Sequence, residues 1–235
     1  MLTLEARRKR LGGADVLRDV ALTVAPGETV ALVGPSGCGK TSLMRILAGL
    51  DEDFDGARTC PPGARLAMAF QEPRLLPWRS LRDNIALALP PAERAGPKPD
   101  AALAAVGLSE AATRFPGQLS LGMARRGALA RALAVEPDYL LLDEPFVSLD
   151  EAAAARMRGL VAELLDRATA GVVLVTHDLR EAAALADRVV VLSPRPATVV
   201  ATHVIDLPRA ARDAGFIEDF RRVCLAVGGD GRVIA

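Results

Sequence analysis

The sequence has few of the features that mark secreted, metal-binding or membrane-spanning chains. Among 235 residues there are three cysteines, Cys38, Cys60 and Cys224. They are odd in number and far apart, so neither a disulfide framework nor a metal-ligand spacing can be drawn. A reducing compartment is the simplest expectation. No apolar run approaches the roughly 18 residues that a membrane span needs, and the basic start MLTLEARRKRLGG has no apolar stretch behind it, so no signal peptide is expected. Net charge is absent too: Lys+Arg and Asp+Glu are 29 each. An overall electrostatic attraction to nucleic acid is therefore missing, and no nucleic-acid partner is expected. Aromatics make up only 3%, with one Trp and one Tyr, so a core must be built mainly from Ala, Leu and Val.

What is present is alternation of strand-like and helix-like segments. Residues 21–24 and 29–33 read as strands around a Pro26-Gly27 turn, 40–50 as a helix and 65–70 as a strand. From 72 to 137 the chain is punctuated by proline and helical in pattern, with helices expected over 80–89, 101–106 and 123–135. A loop is expected over 90–99. Alternation then resumes: strands at 139–142, 172–175, 189–192 and 199–205, helices at 151–168, 181–186 and 212–227. This pattern predicts a parallel α/β core over 1–71 and 138–235, interrupted by a helical insertion over 72–137.

The most specific chemistry lies at GPSGCGKTS, residues Gly34, Pro35, Ser36, Gly37, Cys38, Gly39, Lys40, Thr41 and Ser42. It follows the strand-like TVALV directly and precedes a helical pattern, the context in which G-x-x-x-x-G-K-[ST] forms a phosphate loop. Gly37 and Gly39 allow successive backbone N–H groups to converge on an anion. Lys40 is expected to reach the β- and γ-phosphates of ATP, and the Thr41 hydroxyl to hold Mg²⁺. Cys38 inside the loop predicts inhibition by thiol reagents and protection by ATP.

Two further strand ends carry suitable groups. The apolar run Tyr139-Leu-Leu-Leu delivers Asp143 and Glu144 to a strand terminus, where ligands sit in open α/β folds. Asp143 is expected to hold Mg²⁺ and Glu144 to polarise a water for attack on the γ-phosphate. His177 follows the strand 172–176 and is placed to hydrogen-bond the γ-phosphate or to orient the attacking water.

With these residues in hand, the chain resembles the ATP-binding cassette ATPases of ABC transporters over nearly its whole length. Residues 34–41 are similar to Walker A, and 140–144 to Walker B with its catalytic glutamate. Gln71 is similar to the Q-loop glutamine, Ser148-Leu149-Asp150 to the D-loop, and His177 to the switch histidine. Leu119-Ser120-Leu121-Gly122-Met123 resembles the ABC signature, which other P-loop proteins lack. The resemblance implies a P-loop ABC ATPase fold with an antiparallel β subdomain and a helical insertion. It implies that Gln71 contacts Mg²⁺ and senses a membrane partner, and that Asp150 belongs to the nucleotide site. It implies a second ATPase subunit, head to tail, whose ATP would be touched by Ser120 and the N–H of Gly122.

The stretch QEPRLLPWRSLRDNIALAL, residues 71–89, is similar to the ATPases of nitrate, sulfonate, taurine and bicarbonate importers. That resemblance implies a permease docking around 71–89, with Trp78 as an anchor rather than a core residue, and a solute-binding protein acting indirectly. The expected location is peripheral, on the cytoplasmic face of the cell membrane. An exporter or a non-transport ABC ATPase is the alternative. Two departures stand out. Leu121 occupies a position where the family has glycine, and it is tolerated if its φ is negative. No Phe, Tyr, Trp or His precedes Phe54 to stack on adenine; Leu11 and Arg10 are nearest to that role, and a weaker preference for ATP over GTP follows.

Overall fold

The computed structural model describes residues 1–167 and 169–227. It forms two compact units, Met1–Ala64 with Arg167–Ala235, and Arg65–Asp166. Residue 168, the expected end of one helix, and residues 228–235 lie outside the described residues.

The first unit opens with β1 (Leu2–Leu11) and β2 (Ala14–Val24), joined by a Gly12-Gly13 turn. Together with β4 (Asp55–Thr59) they form an antiparallel sheet in the order β2-β1-β4. Only the last four residues of this pair were legible as strand. The reason is the charge in RRKRL: Arg7, Arg8 and Arg10 are exposed, whereas Lys9 points inward and is only 3% exposed. Its ammonium donates to Asp51 Oδ1 (2.8 Å) and to the Asp53 carbonyl (2.5 Å). A buried cation is tolerated when paired in this way, but its charge disguises the alternation of Leu2, Leu4 and Ala6, all buried.

The same unit holds β3 (Thr29–Val33), entirely buried, between β7 (Gly171–Thr176) and β8 (Arg188–Leu192), both parallel to it. β9 (Val199–Val204) pairs antiparallel with β8, which corrects the expectation of a uniformly parallel sheet. The six residues between them return the chain directly, too short a connection for the crossover that parallel pairing requires. Helices α1 (Lys40–Leu47), α6 (Leu179–Leu185) and α7 (Ala214–Val227) complete the unit. One apolar cluster gathers Ala31, Val33, Ala182, Val189, Val191 and Cys224, with Phe216 and Phe220 packed on it.

The second unit contains the parallel pair β5 (Leu66–Ala69) and β6 (Tyr139–Asp143). Its helices are α2 (Leu81–Ala86), α3 (Lys98–Ala105), α4 (Leu121–Ala134) and α5 (Glu151–Arg167). The expected loop over 90–99 is partly helical. Pro91–Glu93 forms a 3₁₀ turn, and α3 already starts at Lys98 with Pro99 in its first turn, where a missing N–H costs nothing. Among the described residues, no helix is long and apolar enough to cross a membrane.

Candidate nucleotide site

In the first unit the loop after β3 is shaped by backbone that only glycine adopts freely. Gly37 has φ +74° and Gly39 φ +129°. A Cβ at Gly39 would also lie 2.9 Å from both Leu17 Cδ2 and Val16 Cγ1, so angle and space both require glycine there. Gly39 precedes α1 without a side-chain cap, and the first turn of α1 carries no acidic residue. The helix therefore presents its N–H groups and dipole with no built-in anion to satisfy them. Lys40 is buried, and its Nζ donates to the carbonyls of Gly34 (2.7 Å) and Pro35 (2.9 Å), which folds the ammonium back over the loop. Ser36 and Gly37 are exposed, Pro35 and Ser42 half-buried, and Thr41 exposed on the first turn of α1. Uncapped N–H groups, a folded-back ammonium and an exposed hydroxyl fit a nucleotide phosphate chain.

Cys38 is 1% exposed, buried beneath the loop, so thiol reagents would have to reach it through an opening of the loop. Reactivity needs an accessible thiolate. Cys224 is buried as well, and burial pushes its thiol up to about 11.

His177 belongs to the same unit and is exposed at the end of β7. Thr176 pairs with Val33 in the parallel ladder, so the strand that ends in His177 runs beside the strand that feeds the phosphate loop. Leu11, at the end of β1, is 61% exposed. Arg10 beside it donates through Nη2 to the Gly13 carbonyl (2.6 Å).

In the second unit, Asp143 closes β6 and is 3% exposed. Glu144 follows with φ +46°, a left-handed value uncommon for a non-glycine residue. It turns the chain sharply off the strand. β5 pairs with β6 so that Ala69 faces Leu142, which carries Gln71, two residues on, to the same strand end. Gln71 Nε2 donates to Glu144 Oε2 (3.3 Å). Asp143 and Gln71 carry oxygen donors of the hard kind that suits Mg²⁺.

Ser120 caps α4: its hydroxyl oxygen accepts the Met123 N–H (3.2 Å). The hydroxyl proton stays available to donate, since a serine oxygen accepts and donates at once. Leu121 is the first residue of α4, does not have a positive φ and is 46% exposed. Leucine is thus unstrained where glycine was expected. Gly122, by contrast, is not demanded by the fold. A Cβ there would make ordinary contacts of 3.7 Å to Leu149 and 3.9 Å to Ala153. Ser120, Gly122, Ser148 and Asp150 line a cleft of about 210 Å³, with Arg126 and Arg156 among its walls.

Several supporting residues were not foreseen. Arg131, on α4, donates to the carbonyls of Arg74 (2.8 Å) and Pro73 (3.0 Å) and so anchors the segment after Gln71. Burial pushes its guanidinium below the ordinary value. Asn84 is buried and bonds Leu76 in both directions, accepting its N–H at 2.6 Å, and also donates to the Arg79 and Ser80 carbonyls. This brace holds out Trp78, which is 68% exposed. Its packing inside the helical unit is thereby excluded. An asparagine within the apolar run NIALAL was the available signal.

Comparison with known proteins shows the family and the fold. Residues 17–147 match the ABC transporter family. An aliphatic sulfonates import ATP-binding protein, SsuB 2 of Burkholderia cenocepacia (strain HI2424), is 43% identical over 245 residues, covering 98% of this chain and 91% of its own. SsuB of Mycobacterium sp. (strain MCS) is 45% identical over 230 residues, covering 96% and 93%. Among solved structures, a post-hydrolysis dimer of the ATP-binding cassette MJ0796 bound to ADP and Pi superimposes with a TM-score of 0.75 at 25% identity, covering 88% of this chain and all of that one. The mixed α/β fold with its antiparallel and parallel sheets is that of the ABC cassettes, and the chain belongs to the ABC transporter family as one of its ATP-binding, ATP-hydrolysing domains.

Proposed function

We propose that this chain is the motor subunit of an ABC importer for a small solute of the sulfonate, taurine or nitrate kind. Its core is assigned to 1–71 and 138–235 and its helical subdomain to 72–137. The relatives named above as sulfonate import proteins support the solute class. The observation that carries the motor reading is the pair of anion-facing helix starts: one in the loop ending at Lys40, the other at Ser120, where glycine at 122 is kept although the fold does not need it.

In this reading residues 34–42 bind the ATP phosphates through backbone N–H groups and Lys40. Thr41, Gln71 and Asp143 would hold Mg²⁺, which when bound neutralises charge developing on the phosphate oxygens. Glu144 polarises the attacking water, and Gln71 holds the carboxylate in place until the nucleotide arrives. His177 contacts the γ-phosphate. Ser120 donates its free hydroxyl proton, and Gly122 its N–H, to ATP bound by a second copy of the chain, with Asp150 lining the same cleft. A Cβ at 122 would stand where that phosphate approaches. Loss of the γ-phosphate removes the contact and weakens the pair, so hydrolysis becomes motion.

Trp78, held out beside Arg74 and Arg79, suits an anchor for a permease helix. A solute-binding protein acts on the permease rather than on this subunit. The subunit is then peripheral on the cytoplasmic face of the inner membrane. Adenine rests on Leu11 and the Arg10 guanidinium, with GTP competing. The test is Glu144→Gln: turnover should vanish while an ATP-bound dimer accumulates in light scattering. A variant that still hydrolyses ATP as a monomer overturns the reading. Uptake of labelled sulfonates by cells carrying this chain with its permease, and its loss with Glu144→Gln, tests the solute class.

A further inference from the structure

Strand β7 is buried throughout, and its residues Val172, Val173, Leu174 and Val175 are apolar. Thr176 ends the strand at 1% exposure. Valine has the same shape and would continue the run, so packing does not account for the hydroxyl, and a buried hydroxyl is costly unless it is bonded. Thr176 Oγ1 is bonded twice: it donates to Glu181 Oε2 and accepts the Asp178 N–H (3.0 Å). Asp178 in turn caps α6 by accepting the Arg180 N–H (2.8 Å). The residue enclosed between these ties is His177, itself exposed. Glu181 sits in the first turn of α6, where a carboxylate is already favourable in water. Instead it spends an oxygen on a hydroxyl five residues back, a charge-assisted bond of the stronger kind.

We propose that Glu181 is a positioning residue for His177, acting through the Thr176 hydroxyl to fix the turn that presents the imidazole beside the phosphate loop. The inference rests on the reading of His177 as a γ-phosphate contact. Glu181 itself touches no nucleotide. It removes the freedom of the 176–178 turn before ATP binds, and a misplaced imidazole is costly because orientation errors of about 1 Å cost on the order of a hundredfold in rate.

The experiment uses the full chain, measuring steady-state ATPase, affinity for a non-hydrolysable ATP analogue, and melting temperature. Glu181→Ala and Thr176→Val should each lower kcat about ten- to a hundredfold while analogue affinity changes by less than about twofold. Thr176→Ser and Glu181→Gln keep a donor and an acceptor and should recover most of the rate. Adding Glu181→Ala to His177→Ala should lower kcat no further, because the two act on one step. An undiminished kcat in folded Glu181→Ala overturns the proposal. So does an equal further loss in the His177→Ala background, or a serine variant as slow as the valine one. If His177→Ala alone leaves kcat unchanged, the underlying reading of His177 fails. That outcome is distinct from a slow His177→Ala beside a fast Glu181→Ala, which sinks only the positioning role.

Discussion

The two helix starts proposed to bear on phosphate, at Lys40 and at Leu121, are built on different principles. Before α1 the chain turns through φ +74° and +129° and passes Val16 and Leu17 so closely that a side chain at Gly39 would collide. Glycine there is a requirement of the fold itself. Before α4 the chain is capped by an ordinary serine, and residues 121 and 122 take helical angles in open or ordinary surroundings. Glycine there is not a requirement of the fold. The difference explains why one motif is complete and the other carries a leucine. A helix start without special angles accepts any side chain that does not stand between its N–H groups and the anion.

The largest expected effect lies with the carboxylate both starts would serve. Glu144→Gln should reduce kcat at least about a hundredfold, with nucleotide affinity preserved in equilibrium binding. Next comes the loop. Gly39→Ala should lose nucleotide binding and also lower stability by more than about 1 kcal/mol, because the angle is unfavourable for any side chain; thermal unfolding with and without ATP reads both. At the other start the same change should separate the two properties. Gly122→Ala should melt within a degree or two of the parent yet lose about tenfold in ATPase, and an unchanged rate would mean that nothing approaches this helix. Leu121→Gly should alter ATPase less than about threefold. A large gain would identify Leu121 as an inactivating replacement.

The smallest effect on rate should come from Asp51→Asn, which touches neither start. The Lys9 ammonium holds the Asp51 carboxyl below the usual carboxylate range. The pair's stabilisation is therefore present above the ordinary Asp value near 3.9 and fades as pH falls through the lowered folded value. The variant should lose about 2 kcal/mol at pH 7, and the difference from the parent should shrink in strong acid. Chemical denaturation at pH 7 and near pH 2 checks both.

The strands and helices that carry residues 34–42, Asp143, His177 and Ser120 were legible because each rests on local rules: a strand run, a turn that needs glycine, a helix that follows. The N-terminal sheet was half legible. Lys9 reads as solvated charge until Asp51 and Asp53, more than forty residues away, are seen to neutralise it. The braces were less visible still. Arg131 bonds backbone carbonyls, which carry no sequence signal, Asn84 is marked only by its place in an apolar run, and Thr176 and Glu181 share one bond that neither residue type announces.

Sequence alone therefore determined the family, the order of elements and which residues carry charge or hydroxyl at the strand ends, because those depend on spacing within a few turns of chain. Tertiary structure decided which side chains are buried and what each is bonded to. It buried Cys38, exposed Trp78, turned β9 antiparallel and showed Leu121 unstrained. These outcomes depend on neighbours brought together from distant parts of the chain, whose contacts determine whether a charge is neutralised, a thiol reached by water or a glycine required.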